Sequence, residues 1–119
     1  MNNISIYGGH NASISFLDSK NNYRIIELER LFKSRHFMLF DKSENEFIEI
    51  VKQVLKVADK FWNIKNDFET CAYGINGSSH LHSINKAINV KKIIQYNHHD
   101  SHAACAFYQS SYENSVIIS

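Results

Sequence analysis

Three of the chain's seven histidines fall within five residues, in the run Tyr96-Asn97-His98-His99-Asp100-Ser101-His102-Ala103-Ala104. His98 and His102 stand four positions apart, so a helical backbone sets both rings on one face, where they can share a metal ion. Neutral imidazole is a common metal ligand, available near neutral pH. On such a helix His99 projects about 100° away, and Asp100 also leaves that face. The pair supplies two ligands, and the others must come from elsewhere. No other Asp or Glu has a spacing that claims the place. The competing reading is a polar helix start, capped by Asn97 or Asp100, with the histidines in solvent.

Two further clusters carry potential chemistry. In Gly8-Gly9-His10-Asn11-Ala12-Ser13, two glycines let the backbone approach a ligand, and their amides, with Asn11 and Ser13, can bind phosphate oxygens. His10 could act there as acid, base or electrostatic partner to a phosphorylated substrate. The plainer alternative is a Gly-Gly hairpin turn. Glu29-Arg30-Leu31-Phe32-Lys33-Ser34-Arg35-His36 places three cations and a histidine after a strand-like run. Arg30, Lys33 and Arg35 could clamp a phosphate or carboxylate; otherwise the segment is a solvated charged loop. His80 and His82 are two apart in a helical stretch, so they diverge and are expected at the surface. Cys71 and Cys105 have no CxxC spacing and read as small buried residues, with nothing nearby to lower a thiol pKa.

The elements that must position these clusters are legible from periodicity. Ile4–Tyr7, Ala12–Leu17 and Tyr23–Leu28 alternate as strands with short connections, which predicts an antiparallel meander. Glu29–Asp41 has no clear period and reads as a loop. Ser43 with Glu46 forms a capping-box pattern. Behind it Phe47, Ile50, Val51, Val54, Leu55, Ala58, Phe61 and Trp62 recur at helical spacing, predicting a long helix laid on a sheet. Thr70–Ile75 reads as a buried strand, 80–88 as a short helix, and 90–96 as a strand. A small-residue helix follows to about residue 109, and Val116–Ile118 looks like one more strand. This order predicts a mixed α/β layer fold with parallel pairing in its second part. It is also the order of the ribonuclease-H-like half of actin-like ATPases.

With 119 residues, 44% of them hydrophobic and 21% charged, the chain has the composition of one globular domain. Thirteen basic and twelve acidic side chains point to no polyanionic partner. No apolar run is long enough to span a membrane, and the N-terminus lacks a secretory signal. The expected compartment is the cytoplasm. There is no GxGxxG, no P-loop and no interleaved basic-aromatic pattern for nucleic acid.

Taken in order, the three clusters resemble the start of the NodU/CmcH-type O-carbamoyltransferases. Those enzymes open with a strand and a Gly-x-His-Asp-x-Ser-like turn, matched by Gly8-Gly9-His10-Asn11-Ala12-Ser13. A Glu-Arg-x-x-Arg-x-Lys-His-like segment follows the third strand, matched by Glu29 to His36. A His-His-x-x-His-Ala-x-x-Ala-Phe-Tyr signature is matched by His98-His99-Asp100-Ser101-His102-Ala103-Ala104-Cys105-Ala106-Phe107-Tyr108.

The resemblance implies an α/β ribonuclease-H-like/actin-like ATPase fold, with residues 1–119 as the N-terminal part of the actin-like domain. It is similar in this to the tRNA threonylcarbamoyl-adenosine synthases. The implied chemistry passes a carbamoyl group from carbamoyl phosphate, via a carbamoyl-adenylate formed with ATP, to a hydroxyl on a small-molecule acceptor. By similarity His98 and His102 would ligand a divalent metal, iron being the one implied, that orients the nucleotide phosphates. His10 and Arg35 would act on the carbamoyl phosphate and the developing charge, with Gly9, Asn11, Ser13, Arg30 and Lys33 in the phosphate-binding set. A homodimer is implied for a full-length member.

Two positions depart from the family pattern: Asn11 stands where aspartate is common, and Arg35 where lysine is usual. The Asp-Gly motif expected after Val116–Ile118 would come beyond Ser119, so these residues alone are expected not to turn over. Two alternatives stand beside this one: a non-catalytic metal- or nucleotide-binding module completed by another chain, and a member of the tRNA-modifying branch. The histidine pair fits that branch, whereas the His10 turn and the 30–36 segment fit the carbamoyltransferases better.

Overall fold

The computed structural model describes residues 2–9, 11–35, 37–75 and 80–97. Strands β1 (Asn2–Tyr7), β2 (Ser13–Leu17) and β3 (Tyr23–Glu27) form the expected antiparallel meander. Its second turn closes on Asp18, whose carboxylate accepts the Lys20 and Asn22 amides at 2.8 Å each, while Asn21 takes the left-handed φ of 64°. Such amide bonds, the one from Asn22 first, hold the Asp18 carboxyl below its usual range.

Where a structureless loop was expected, the chain makes a one-turn helix, α1 (Leu28–Leu31). It ends in a Schellman arrangement: Lys33 sits at φ 53° and the Ser34 amide reaches back to the Glu29 carbonyl at 3.0 Å. One turn is too short for a periodic signal to stand out in sequence.

Helix α2 (Glu44–Trp62) starts at the capping box read from the sequence. The Ser43 hydroxyl accepts from the Glu46 amide and the Glu46 carboxylate accepts from the Ser43 amide, both at 3.2 Å. Phe47, Val51, Val54, Leu55 and Ala58 are buried along it. Phe61 departs from the expected stripe and is 67% exposed, in the last turn before the left-handed C-cap Asn63, while its neighbour Trp62 turns inward against Phe16. Strand β4 (Phe68–Ile75), a 3-10 turn (Leu81–Ser83), α3 (Ile84–Ala87) and β5 (Val90–Asn97) complete the described chain.

The five strands lie in the order β3-β2-β1-β4-β5, with β1, β4 and β5 mutually parallel. One face carries the core. Ile26, Ile14, Ile6 and Tyr73 stand in one cross-sheet row, and Phe16, Ile4 and Cys71 in the next. Both rows pack with α2 and with Ile84, Ala87 and Ile88 around α3 in one cluster. Cys71 is buried there, as expected, and burial pushes its thiol up to about 12. Among the described residues no helix is long and apolar enough to cross a membrane.

Candidate functional site

The topology brings the first two clusters to one edge of the sheet. Tyr7 at the end of β1 is level with Gly74 near the end of β4, and Ile75 pairs with Asn97 at the end of β5. β2 starts and β3 ends at the same level, since Ser13 pairs with both Tyr7 and Glu27. Ligands of open sheets with parallel strands bind beyond the strands' carboxyl ends, and this is that edge.

The two clusters are sewn together by main-chain hydrogen bonds. The Ala12 amide donates to the Phe37 carbonyl at 3.1 Å, and the Leu28 amide to the Ala12 carbonyl at 3.0 Å. The amides of Leu39 and Phe40 both donate to the Gly8 carbonyl, at 2.9 and 3.1 Å. Phe32 stacks on Phe37 at 5.0 Å, and Lys42 Nζ lies 4.8 Å from the Phe37 ring centre. The segment after α1 therefore wraps back over the turn that follows β1.

This wrapping assigns the two glycines a packing role that the sequence did not reveal. A Cβ on Gly8 would lie 2.7 Å from the Phe40 ring, and one on Gly9 would lie 2.5 Å from the Tyr7 hydroxyl. Both glycines are buried, and neither has a left-handed φ. Their missing side chains make room for the protein's own aromatic rings. That explains the glycines without invoking a ligand, and it leaves the Gly9 amide as the part of this residue that a ligand could use.

Beside the turn lies a cleft of about 310 Å³ lined by Asn11, Ser13, Ile25, Glu27, Glu29 and Arg30, with Ala12. Three of the residues singled out in sequence meet there: Asn11, Ser13 and Arg30. Asn11 is exposed at φ 58°, a conformation asparagine tolerates better than most residues. Arg30 Nε is 2.7 Å from Glu27 Oε2, in a pair whose side chains are 85% and 50% exposed. Such a surface pair contributes less than about 1 kcal/mol, so an entering oxyanion can compete for the guanidinium. Lys33 and Arg35 are exposed on the turn beyond α1 and are not among the cleft-lining residues. Glu27 was not anticipated, and Glu29 opens the second cluster without having been given a role there. Only the Ser13–Glu27 pairing places Glu27 here, and no local pattern announces it.

The amino end of α2, often an anion site, is committed to its own cap. The Ser43–Glu46 box occupies it, and the Ser43 amide holds the Glu46 carboxyl below its usual range. Lys86 of α3 pairs with Glu44 in the same turn. His80 corrects an expectation. It is 4% exposed rather than at the surface, stacked 4.7 Å from the Phe47 ring, because the chain entering the 3-10 turn passes beneath α2. His82 is exposed, as expected.

His10, His36, His98, His102 and Cys105 lie outside the described residues, as do the expected helix after β5 and the strand at Val116–Ile118. Among the described residues, no group of three or more His, Cys, Asp or Glu is arranged to hold a metal ion. Compared with protein-family models, curated proteins and solved structures, the chain matches none.

Proposed function

We propose that this chain is the N-terminal part of an ATP-dependent O-carbamoyltransferase with a ribonuclease-H-like, actin-like fold. The observation that carries the reading is the joining of the two N-terminal clusters. Gly8 and Ala12 share main-chain hydrogen bonds with Leu28, Phe37, Leu39 and Phe40 at the carboxyl edge of the sheet, and Asn11–Ser13 and Glu29–Arg30 border one cleft. The third cluster begins at His98, directly after Asn97, the residue paired with Ile75 at that same edge. The element order, a three-strand meander followed by a helix and two parallel strands, is the one this fold calls for.

In this reading Arg30 exchanges Glu27 for the phosphate of carbamoyl phosphate, with Asn11 and Ser13 donating from the cleft floor. Charge-assisted hydrogen bonds to an oxyanion are the strong ones, and an arginine fork can make two at once. Lys33 and Arg35 add positive potential at the mouth, where transferring groups develop negative charge. His10, between Gly9 and Asn11 in sequence, is assigned proton transfer or electrostatic support. His98 and His102 are assigned to a divalent metal, iron in the family, which when bound would orient the nucleotide phosphates.

The test is binding. Calorimetric titration with carbamoyl phosphate is expected to show binding that Arg30→Ala weakens about tenfold or more, the worth of one charge-assisted hydrogen bond. A manganese or iron(II) titration is expected to lose affinity in His98→Ala and in His102→Ala. Equal carbamoyl phosphate affinity in wild type, Arg30→Ala and Arg35→Ala would sink the phosphate assignment. Equal metal affinity in all forms would sink the histidine pair.

A further inference from the structure

The sheet edge opposite the Arg30 cleft carries a second concave site. There β1 begins at Asn2, β2 ends at Leu17, β3 begins at Tyr23 and α2 ends at Trp62. The Asn3–Leu17 and Leu17–Tyr23 pairings set the three strand ends level with one another. Beside them lies a cleft of about 310 Å³ lined by Arg24, Lys60, Phe61 and Trp62, with Asp18 and Asn22. Strand β3 supplies one cation and the last turn of α2 the other, so only the tertiary fold brings both to one cleft.

Aromatic surface and positive charge lie together there. The Arg24 guanidinium carbon is 6.0 Å from the Trp62 ring centre, and Lys60 Nζ is 5.6 Å from that of Phe61. Such contacts seat a cation on a ring and leave N–H groups for other acceptors. Arg24 gives one bond, at 3.2 Å, to the Tyr23 carbonyl, and a guanidinium has further donors to offer. Among the described residues no ion pair engages Arg24 or Lys60. Asp18 is the carboxylate of the cleft, and both its oxygens already accept from its own turn: one from the Lys20 and Asn22 amides, the other from Asn22 Nδ2. The carboxyl end of a helix disfavours anions. At the end of α2 the Asn63 and Ile64 amides reach back to the Asp59 and Ala58 carbonyls, at 3.0 and 3.3 Å, and the two cations offset the remainder. Phe61 is the most exposed large hydrophobic side chain among those described. Next to half-buried Trp62 it offers a surface on which a flat ring can pack.

We propose that this cleft binds a small aromatic anion, with its ring against Phe61 and Trp62 and its carboxylate or phosphate bound by Arg24 and Lys60. A neutral ring would leave the cations unmatched, and a bare anion would leave Phe61 in water. A ligand carrying both groups satisfies the whole lining, which calls for an aryl carboxylate or a mononucleotide. The site is at the far edge of the sheet from the Arg30 cleft, and it stands whether or not that cleft takes carbamoyl phosphate.

Trp62 is the only tryptophan of the chain, so its emission reports on this cleft directly. The full chain is titrated with AMP and with benzoate, followed by Trp62 emission and by calorimetry. Saturable binding of at least one is expected, and the tighter of the two tells a nucleotide site from an aryl carboxylate site. Benzyl alcohol, a ring without charge, and inorganic phosphate, a charge without a ring, should each bind about fivefold or more weakly. Arg24→Gln and Lys60→Gln, both at exposed positions, should each weaken the anion by about fivefold or more. Phe61→Ser should weaken it as well, and Arg30→Ala should leave it unchanged. The proposal is overturned if neither anion binds, or if affinity survives Arg24→Gln combined with Lys60→Gln. Phosphate binding as tightly as AMP and benzoate also overturns it, by showing a bare basic patch. So does loss of binding in Arg30→Ala, which moves the ligand to the other edge.

Discussion

Ile25 and Ile26 are adjacent, identical in type and part of the same strand, yet one is 47% exposed and the other 8%. The alternation of strand side chains sends Ile26 into the core under α2 and Ile25 onto the open face. The two sides of the sheet differ in the same way throughout. The covered side is a close-packed layer of Ile, Phe, Val and Tyr side chains. The open side is a small-residue trough with apolar margins. The covered face has drawn its stability from burial, whereas the other leaves Leu17, Tyr23, Ile25 and Ile94 exposed among the described residues.

The sharpest way to break this comparison is to truncate the two isoleucines separately. Ile26→Ala is expected to cost about 2–5 kcal/mol in urea unfolding, through lost burial and a residual cavity. Ile25→Ala should cost under about 1 kcal/mol if its margin stays in solvent, since little area is removed from contact. A cost for Ile25→Ala that matches Ile26→Ala would show the open face to be buried in solution.

The glycine pair repeats the contrast on a smaller scale. Gly8→Ala drives a methyl to 2.7 Å from Phe40, whose ring packs edge-on to Tyr73 at 6.3 Å within the covered side. A loss of about 1–3 kcal/mol is expected, from overpacking against neighbours that cannot yield. Gly9→Ala meets only the hydroxyl end of Tyr7, on the open side. The Gly8 methyl crowds two residues, Phe40 and Leu39, and the Gly9 methyl one, so the Gly9 loss should be the smaller of the two. The reverse order in thermal unfolding would contradict the assignment of faces.

The cap of α2 tests the covering helix itself. Ser43→Ala is expected to cost about 1 kcal/mol by removing the acceptor for the Glu46 amide. Its pH dependence has a defined sign. The Glu46 carboxyl is held below its ordinary value of 4.5, chiefly by the Ser43 amide. The stability it adds is complete above 4.5 and is lost as pH falls through the lowered folded value. Glu46→Gln should therefore differ from wild type at neutral pH and converge with it in acid; a constant difference would mean that the charge plays no part in the cap. The smallest effect has the opposite sign and lies off both faces. Lys33→Gly relieves a left-handed lysine at φ 53° and should stabilise by about 0.5–1 kcal/mol. If Lys33 also contributes to phosphate binding, the same variant will be more stable and bind more weakly.

Much of the fold was legible because it rests on local rules. The meander follows from period-2 alternation and short turns, and α2 follows from the Ser43–Glu46 box and its apolar spacing. Less of the site was legible. The sequence offered Asn11, Ser13 and Arg30 as candidates, and the structure gathers them around one cleft. It also adds Glu27, which strand register alone brings beside Ser13. Gly8 and Gly9 read either as ligand-binding glycines or as a plain hairpin turn, and the rings of Phe40 and Tyr7 add a packing reason of their own. His80 looked like a surface residue, and a turn beneath α2 buried it.

By itself the amino-acid sequence determined the five described strands, where α2 begins, and that the chain is α/β, but not the one-turn helix α1. Those properties depend on residues a few positions apart. Tertiary structure decided the strand order, the clasp of 37–40 over the Gly8 turn, the partner of Arg30, and which face of the sheet the described helices cover. Each of these depends on contacts between segments distant along the chain, whose energies come from burial and pairing that no local pattern records.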